Sequence, residues 1–233
     1  MKGFALLLML LAAATVSACK SDEPAPNPAA AQPAATRAAE PKKNIPKIVA
    51  FGDSLTAGYG LLPAESYPSL LQEKLKADGY DYEVVNAGVS GDTTSTGLSR
   101  LDWALEGDVR IVILELGAND ILRGQPVEQM KKNLSEMIRR LKARKVTVLL
   151  AGMESPTSAG GEYMRRVREA FRDLEREHQV PRIPFFLEDV AGIQSLNLPD
   201  GIHPNKEGTR IVADTVYEHL RPLLEEQKVG SGR

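Results

Sequence analysis

The chain has 233 residues, 42% hydrophobic and 26% charged, with 19 Gly and 15 Pro. That is enough for one sizeable α/β domain and too short for two large ones, and it excludes both wholesale disorder and a Gly-x-y fibre. A formal charge of −2, from 29 basic and 31 acidic side chains, supplies no global field for nucleic acid, while one Cys and three His exclude an internal disulfide and leave little for a metal cluster. No cofactor or metal is expected.

The first residues read as an export address. Lys2 supplies a positive start, and Phe4–Ala14 is an apolar run of eleven residues, too short to span a bilayer as a helix. Val16-Ser17-Ala18-Cys19 resembles the bacterial lipobox, in which cleavage precedes a Cys that becomes lipid-modified. Residues 1–18 are therefore expected to be a lipoprotein signal peptide, and Cys19 the lipidation site. Lys20 rather than Asp follows the Cys, which in enterobacterial lipoproteins favours the outer membrane. Residues 20–46 hold eight Ala and six Pro among 27 with no apolar periodicity, so 19–46 reads as the lipidated Cys and an extended tether, with a reach of up to roughly 80 Å. Loss of Lys2 leaves 28 basic against 31 acidic groups, a net charge of −3.

From residue 47 strands and helices alternate. Lys47–Phe51 is a short buried strand. Ser66 caps a helix to about Asp78, with Pro68 in its first turn and Gly79 as its stop. Tyr82–Asn86 is the second strand, Thr93–Leu105 a helix, and Val109–Leu116 an apolar strand suited to a central parallel position. Pro126 opens a long helix with Val127, Met130, Leu134, Met137, Ile138 and Leu141 on one face. Lys145–Ala151, Gly161–His178 and Ile183–Leu187 follow as strand, helix and strand, and Asn205 caps a last helix carrying Ile211, Val212, Val216, Leu220 and Leu223. This alternation predicts an α/β fold with a five-stranded parallel sheet and helices on both faces, a domain over 47–226 and a flexible tail over 227–233.

In such sheets ligands bind beyond the carboxyl ends of the strands. There lie Gly52-Asp53-Ser54-Leu55, Ala87-Gly88-Val89-Ser90-Gly91-Asp92, Gly117-Ala118-Asn119-Asp120 and Asp200-Gly201-Ile202-His203. His178 and His219 sit among charged neighbours of amphipathic helices, which leaves His203 as the candidate base. Asp200 would hold its Nδ1 proton, and Nε2 would take a proton from Ser54. Thr56 stands where the α/β-hydrolase elbow needs a Gly, so this is not that motif. The N–H groups of Ser54 and Gly88 and the Asn119 amide could form an oxyanion hole; a tight turn at Gly88 and a turn cap at Asn119 explain those two residues equally well. Residues 88–97 lack the Gly-Lys-Ser/Thr of a phosphate loop, and Asn133-Leu134-Ser135, though a glycosylation pattern, lies within a helix.

Together FGDSLTAGYG (51–60), VVNAGVSGDTT (84–94), LELGANDILRG (114–124) and DGIHPNKEG (200–208) resemble the four blocks of the GDSL, or SGNH, hydrolases, in order and spacing. The resemblance covers nearly all of 47–224 and is nearest the bacterial arylesterase, thioesterase and lysophospholipase group. It implies a three-layer α/β/α flavodoxin-like sandwich, with Ser54 as nucleophile, Asp200 and His203 completing the triad, and Ser54, Gly88 and Asn119 forming the oxyanion hole. The implied activity is hydrolysis of carboxylic esters or thioesters, including lysolipids, without cofactor. A carbohydrate O-deacetylase and a non-catalytic ligand-binding lipoprotein are the alternatives. Segments 56–65, 120–125 and 154–162 are the candidate walls of an acyl site. Leu122, Met153 and Pro156 either line it or serve packing and turns, and 155–161 is either a mobile cover or a plain connector.

Overall fold

A computed structural model of the chain describes residues 45–231; the expected signal peptide over 1–18, the expected lipidation site Cys19 and the expected tether up to residue 44 lie outside the described residues. The run KIVAFG forms β1 (Lys47–Gly52), buried from Ile48 onward. A strand apolar on both faces needs cover on both, and β1 lies inside the sheet, between β2 (Glu83–Gly88) and β3 (Val109–Glu115). β4 (Thr147–Ala151) and β5 (Arg182–Ile183) complete an all-parallel order β2-β1-β3-β4-β5. Edge strand β2 is only half-buried.

Right-handed crossovers from this order send the β1–β2 helix to one face and the helices between β2 and β5 to the other. Helix α1 (Ser54–Ala57) is a single turn after β1, and α2 (Tyr67–Ala77) packs against α7 (Lys206–Ser231). On the other side α5 (Val127–Ala143) packs between α3 (Thr94–Arg100) and α6 (Gly161–His178), while α4 (Ala118–Leu122) follows β3. The six apolar residues anticipated on one face of α5 are all buried. The result is the expected three-layer sandwich.

Local differences have local causes. The α3 helix gives way to a 3₁₀ turn over Leu101–Leu105, so its α-helical part is shorter than 93–105. Lys145 takes φ 60° after α5, and the strand starts at Thr147 instead of at 145. Ser66 stands at the start of α2, but its hydroxyl binds Pro63 O and Ser69 instead of a helix N–H. The fifth strand stops at Ile183 and does not reach Leu187: Pro184 has no N–H to give, and Phe186 turns its N–H to Gly152 O and its ring to the edge of Tyr67. Asn205 caps α7 as expected, accepting from the N–H groups of Glu207 and Gly208. α7 continues through 227–231, where a flexible tail was expected, and near its end Tyr82 donates to Gln227, which donates to Thr147, while Lys228 lies over the Tyr80 ring.

Phe171 is buried on α6 beside Gly117, where an added Cβ would lie 3.3 Å from its ring. Phe171→Ala should destabilise the fold by about 3–5 kcal/mol, read from denaturant unfolding. A loss below about 1 kcal/mol would mean that the layer collapses into the gap.

Candidate active site

The four expected segments meet at one edge because parallel strands all end there. Ser54 begins α1 directly after β1, and Asp53 caps that turn by accepting the Leu55 N–H at 3.0 Å. The 200–203 turn swings across from the other side, with Gly201 at φ 75°. Asp200 Oδ1 accepts the N–H groups of Ile202 and His203, and Oδ2 accepts from His203 Nδ1 at 2.8 Å. The Ile202 N–H, then the imidazole and the His203 N–H, hold the Asp200 carboxyl below its usual range. His203 Nε2 lies 2.9 Å from Ser54 Oγ. With Nδ1–H given to the carboxylate, Nε2 is the acceptor for the Ser54 proton. The Tyr59 ring stacks on the imidazole, centroids 4.5 Å apart, a contact that no spacing in the sequence signals.

Gly88 does not take the expected place. Its N–H donates to Asn86 Oδ1, and its Cα packs so closely on α1 that a Cβ would stand 2.2 Å from the Ala57 nitrogen. The cavity beside Ser54 reaches Ser90 and Gly91 and stops short of Gly88. Gly91, at φ 87°, is the glycine of this block that lines the cavity, and among the described residues no hydrogen bond engages its N–H. Ser54, first residue of α1, likewise has no acceptor within its helix. Gly91 was within reach of sequence reasoning, in the same block as Gly88, but only the path of the loop separates the two.

The Gly91 loop is tied down on both sides. Arg123 Nη2 donates to Gly91 O at 3.0 Å. Arg100 binds Asp92 through Nε and Gly52 O through Nη2, with its guanidinium 4.1 Å from the centre of the Phe51 ring. Asn119, on α4, gives one amide proton to Asp53 Oδ2 at 3.1 Å, which leaves the other for the cavity. Asp53 is buried, and desolvation pushes its carboxyl up to about 6 against the bonds from Leu55 and Asn119.

The cavity holds about 760 Å³, within the range of small-molecule sites. All three candidate walls contribute: Tyr59, then Ile121 and Leu122, then Glu154 to Thr157, with Met153 beside them. Phe185 and Leu187, freed from β5 by Pro184, line it too. Of the other histidines, His178 Nε2 contacts Ser135 Oγ and His219 Nδ1 contacts Thr215 O, and neither lines the cavity.

The GDSL-like Lipase/Acylhydrolase family matches residues 50–211. The chain belongs to this family. It is 38% identical over 178 residues to esterase TesA of Pseudomonas aeruginosa, spanning 76% of this chain and 89% of that protein. It is 35% identical over 178 residues to the thioesterase 1/protease 1/lysophospholipase L1 of Escherichia coli, spanning 76% and 84%. The crystal structure of psychrotrophic esterase EstA from Pseudoalteromonas sp., inhibited by monoethylphosphonate, matches with a TM-score of 0.72 at 32% identity, covering 78% of this chain and 99% of that one. The chain is thus an ester hydrolase of the GDSL/SGNH type.

Asp53 links stability and activity with opposite signs. Its folded value of about 6 exceeds 3.8, so its contribution to stability is present below pH 3.8 and is lost as pH rises through about 6. Asp53→Asn should flatten the melting temperature against pH over that window. It should also lower kcat by at least ~10-fold, because the single amide oxygen cannot accept from both the Leu55 N–H and the Asn119 amide as the two carboxylate oxygens do. An unchanged kcat would remove Asp53 from the support of the site.

Proposed function

We propose that Ser54 is the nucleophile, His203 the general base and acid, and Asp200 the group that orients and charge-balances the imidazole. The observation that carries this is the continuous chain Asp200 Oδ2–His203–Ser54 Oγ, at 2.8 and 2.9 Å. In the first step Ser54 Oγ bonds to the carbonyl carbon while its proton passes to His203 Nε2. The negative carbonyl oxygen meets the N–H groups of Ser54 and Gly91 and the free amide proton of Asn119. His203 then protonates the departing alcohol or thiol as its bond to carbon breaks, leaving an acyl-Ser54. Water repeats the sequence: its proton goes to His203, its oxygen to the acyl carbon, and the acid leaves as Ser54 regains its proton.

The substrates we infer are esters with an apolar acyl chain: aryl esters, lysophospholipids and acyl thioesters. The support is the cavity lining, in which Leu122, Met153, Phe185, Leu187 and Ile202 outweigh the polar groups. A small polar pocket, which an O-deacetylase would favour, is not what lies beside Ser54. A pure binding protein would have no need of a base hydrogen-bonded to the hydroxyl.

We also infer a lipid anchor on Cys19 and a place in the bacterial cell envelope, at the outer membrane facing the periplasm. The support is the short apolar run Phe4–Ala14, the lipobox-like Val16–Cys19 and Lys20 after it.

Ser54→Ala should lower hydrolysis of p-nitrophenyl esters by at least ~10³-fold and abolish phosphonate labelling. Across acyl lengths from acetate to palmitate, wild type should prefer chains longer than acetyl. A preference for acetate, with acetate released from an acetylated glycan, would favour the deacetylase. No turnover and no phosphonate labelling would favour the binding lipoprotein. For the anchor, Cys19→Ser should lose incorporation of labelled palmitate during expression in a bacterium; retained label would overturn it.

A further inference from the structure

Beneath the Ser54 turn lies a buried acid that this acyl-transfer scheme leaves without a task. Glu115 ends β3 and has no exposed surface. Its Oε2 accepts the Thr56 hydroxyl at 2.7 Å and the Asp53 N–H at 3.2 Å. Thr56 spends its one proton there, so the Tyr67 hydroxyl, 3.3 Å from Thr56 Oγ1, is the donor to Thr56. Oε1 is buried without a hydrogen-bond partner. Gly52 makes room for the arrangement, since a Cβ there would lie 2.3 Å from Glu115 Oε2 and 2.1 Å from Thr56 Oγ1.

We propose that Glu115 is a positioning residue for ester cleavage, whose Oε2 fixes the turn on both sides of Ser54 and thereby sets the nucleophile against His203 and Asp53 against Asn119. The proposal rests on the roles given above to Ser54 and Asn119. Asp53 precedes the nucleophile by one residue and Thr56 follows it by two, and both hang from the same oxygen. The turn therefore cannot rotate without breaking a bond to Glu115. Asp53 is also the acceptor for Asn119, so one anchor serves nucleophile and oxyanion donor together.

The charge state fits this task. An ionised carboxylate would leave Oε1 bare in a dry interior, whereas a proton on Oε1 leaves Oε2 free to accept both bonds. Burial, and after it the neighbouring Asp53, push the Glu115 carboxyl well above the ordinary range. A neutral acid supplies acceptors without adding a second negative charge near the carbonyl oxygen that becomes anionic in the reaction.

The test uses the full-length protein and p-nitrophenyl ester hydrolysis, with kcat and KM separated, alongside the rate of Ser54 phosphonate labelling. Glu115→Gln keeps an uncharged acceptor and should hold kcat within ~3-fold of wild type, whereas Glu115→Ala should lower kcat by ~10–100-fold with KM within about 2-fold and labelling slowed in step. An unchanged kcat in Glu115→Ala overturns the proposal. So does an equal loss in Glu115→Gln, or a change confined to KM. If Glu115→Ala does not fold by circular dichroism, Thr56→Val decides: a kcat several-fold lower, with KM kept, supports the role, and an unchanged kcat overturns it. The underlying site reading fails separately. Activity surviving in Ser54→Ala would sink that reading, while an inert Ser54→Ala beside fully active Glu115→Ala and Thr56→Val would sink only the role of Glu115.

Discussion

A parallel sheet delivers every strand end to one edge, and the turn after β1 is held at that edge by a carboxyl group from β3. The bonds from Asp53 N–H and Thr56 Oγ1 to Glu115 Oε2 join two neighbouring strands across their ends. Ser54 rides between those two anchors. Its hydroxyl meets an imidazole whose own orientation comes from a turn about 150 residues further along the chain. Reactive geometry in this molecule is thus a property of the sheet edge, and each loop supplies one donor or acceptor to it.

Such an arrangement works against stability. Two carboxyl groups, Asp53 and Glu115, are removed from water side by side beneath the Ser54 turn, and burial raises the proton affinity of both. Compensation comes from donors aimed at them: backbone N–H groups, the Thr56 hydroxyl and the Asn119 amide. A core of aliphatic strand residues and the apolar faces of α5, α6 and α7 carries the remaining burden. The buried carboxyl groups and their donors form a polar cluster set into a scaffold whose stability comes from elsewhere, and charge at one end is tolerated for that reason.

The same logic explains the acyl cavity. Its apolar wall comes from residues that no strand could hold once Pro184 ended β5, and from the short α4 turn that presents Ile121 and Leu122. Arg123, next along that turn, reaches over to the Gly91 carbonyl, so the loop whose N–H we propose as an oxyanion donor is braced by the element that carries Asn119. The two donors are coupled through the backbone of one short helix.

Much of this was legible in the chain itself, because it depends on local order. Alternating apolar runs specify strands and helices by period, parallel connections then leave few topologies, and Asp200 and His203 meet within one turn that Gly201 permits. Ser54, Asn119 and the pair Asp200–His203 were identifiable as strand-end residues of types that acyl transfer needs. The choice between Gly88 and Gly91 was not, since both stand in one block and only the folded loop shows that the Gly88 N–H is taken by Asn86 Oδ1 while Gly91 faces the cavity. Nor could the sequence reveal that Glu115, an acid inside an apolar strand, would meet Asp53 and Thr56, or that Tyr59 would lie on His203. By itself the sequence determined the fold class and which residue types gather beyond the strand ends, because these follow from periodicity and turn chemistry. Only the tertiary structure decided which glycine of the second block faces the cavity and which buried acid bonds both sides of the Ser54 turn, because those depend on groups brought together from strands distant along the chain.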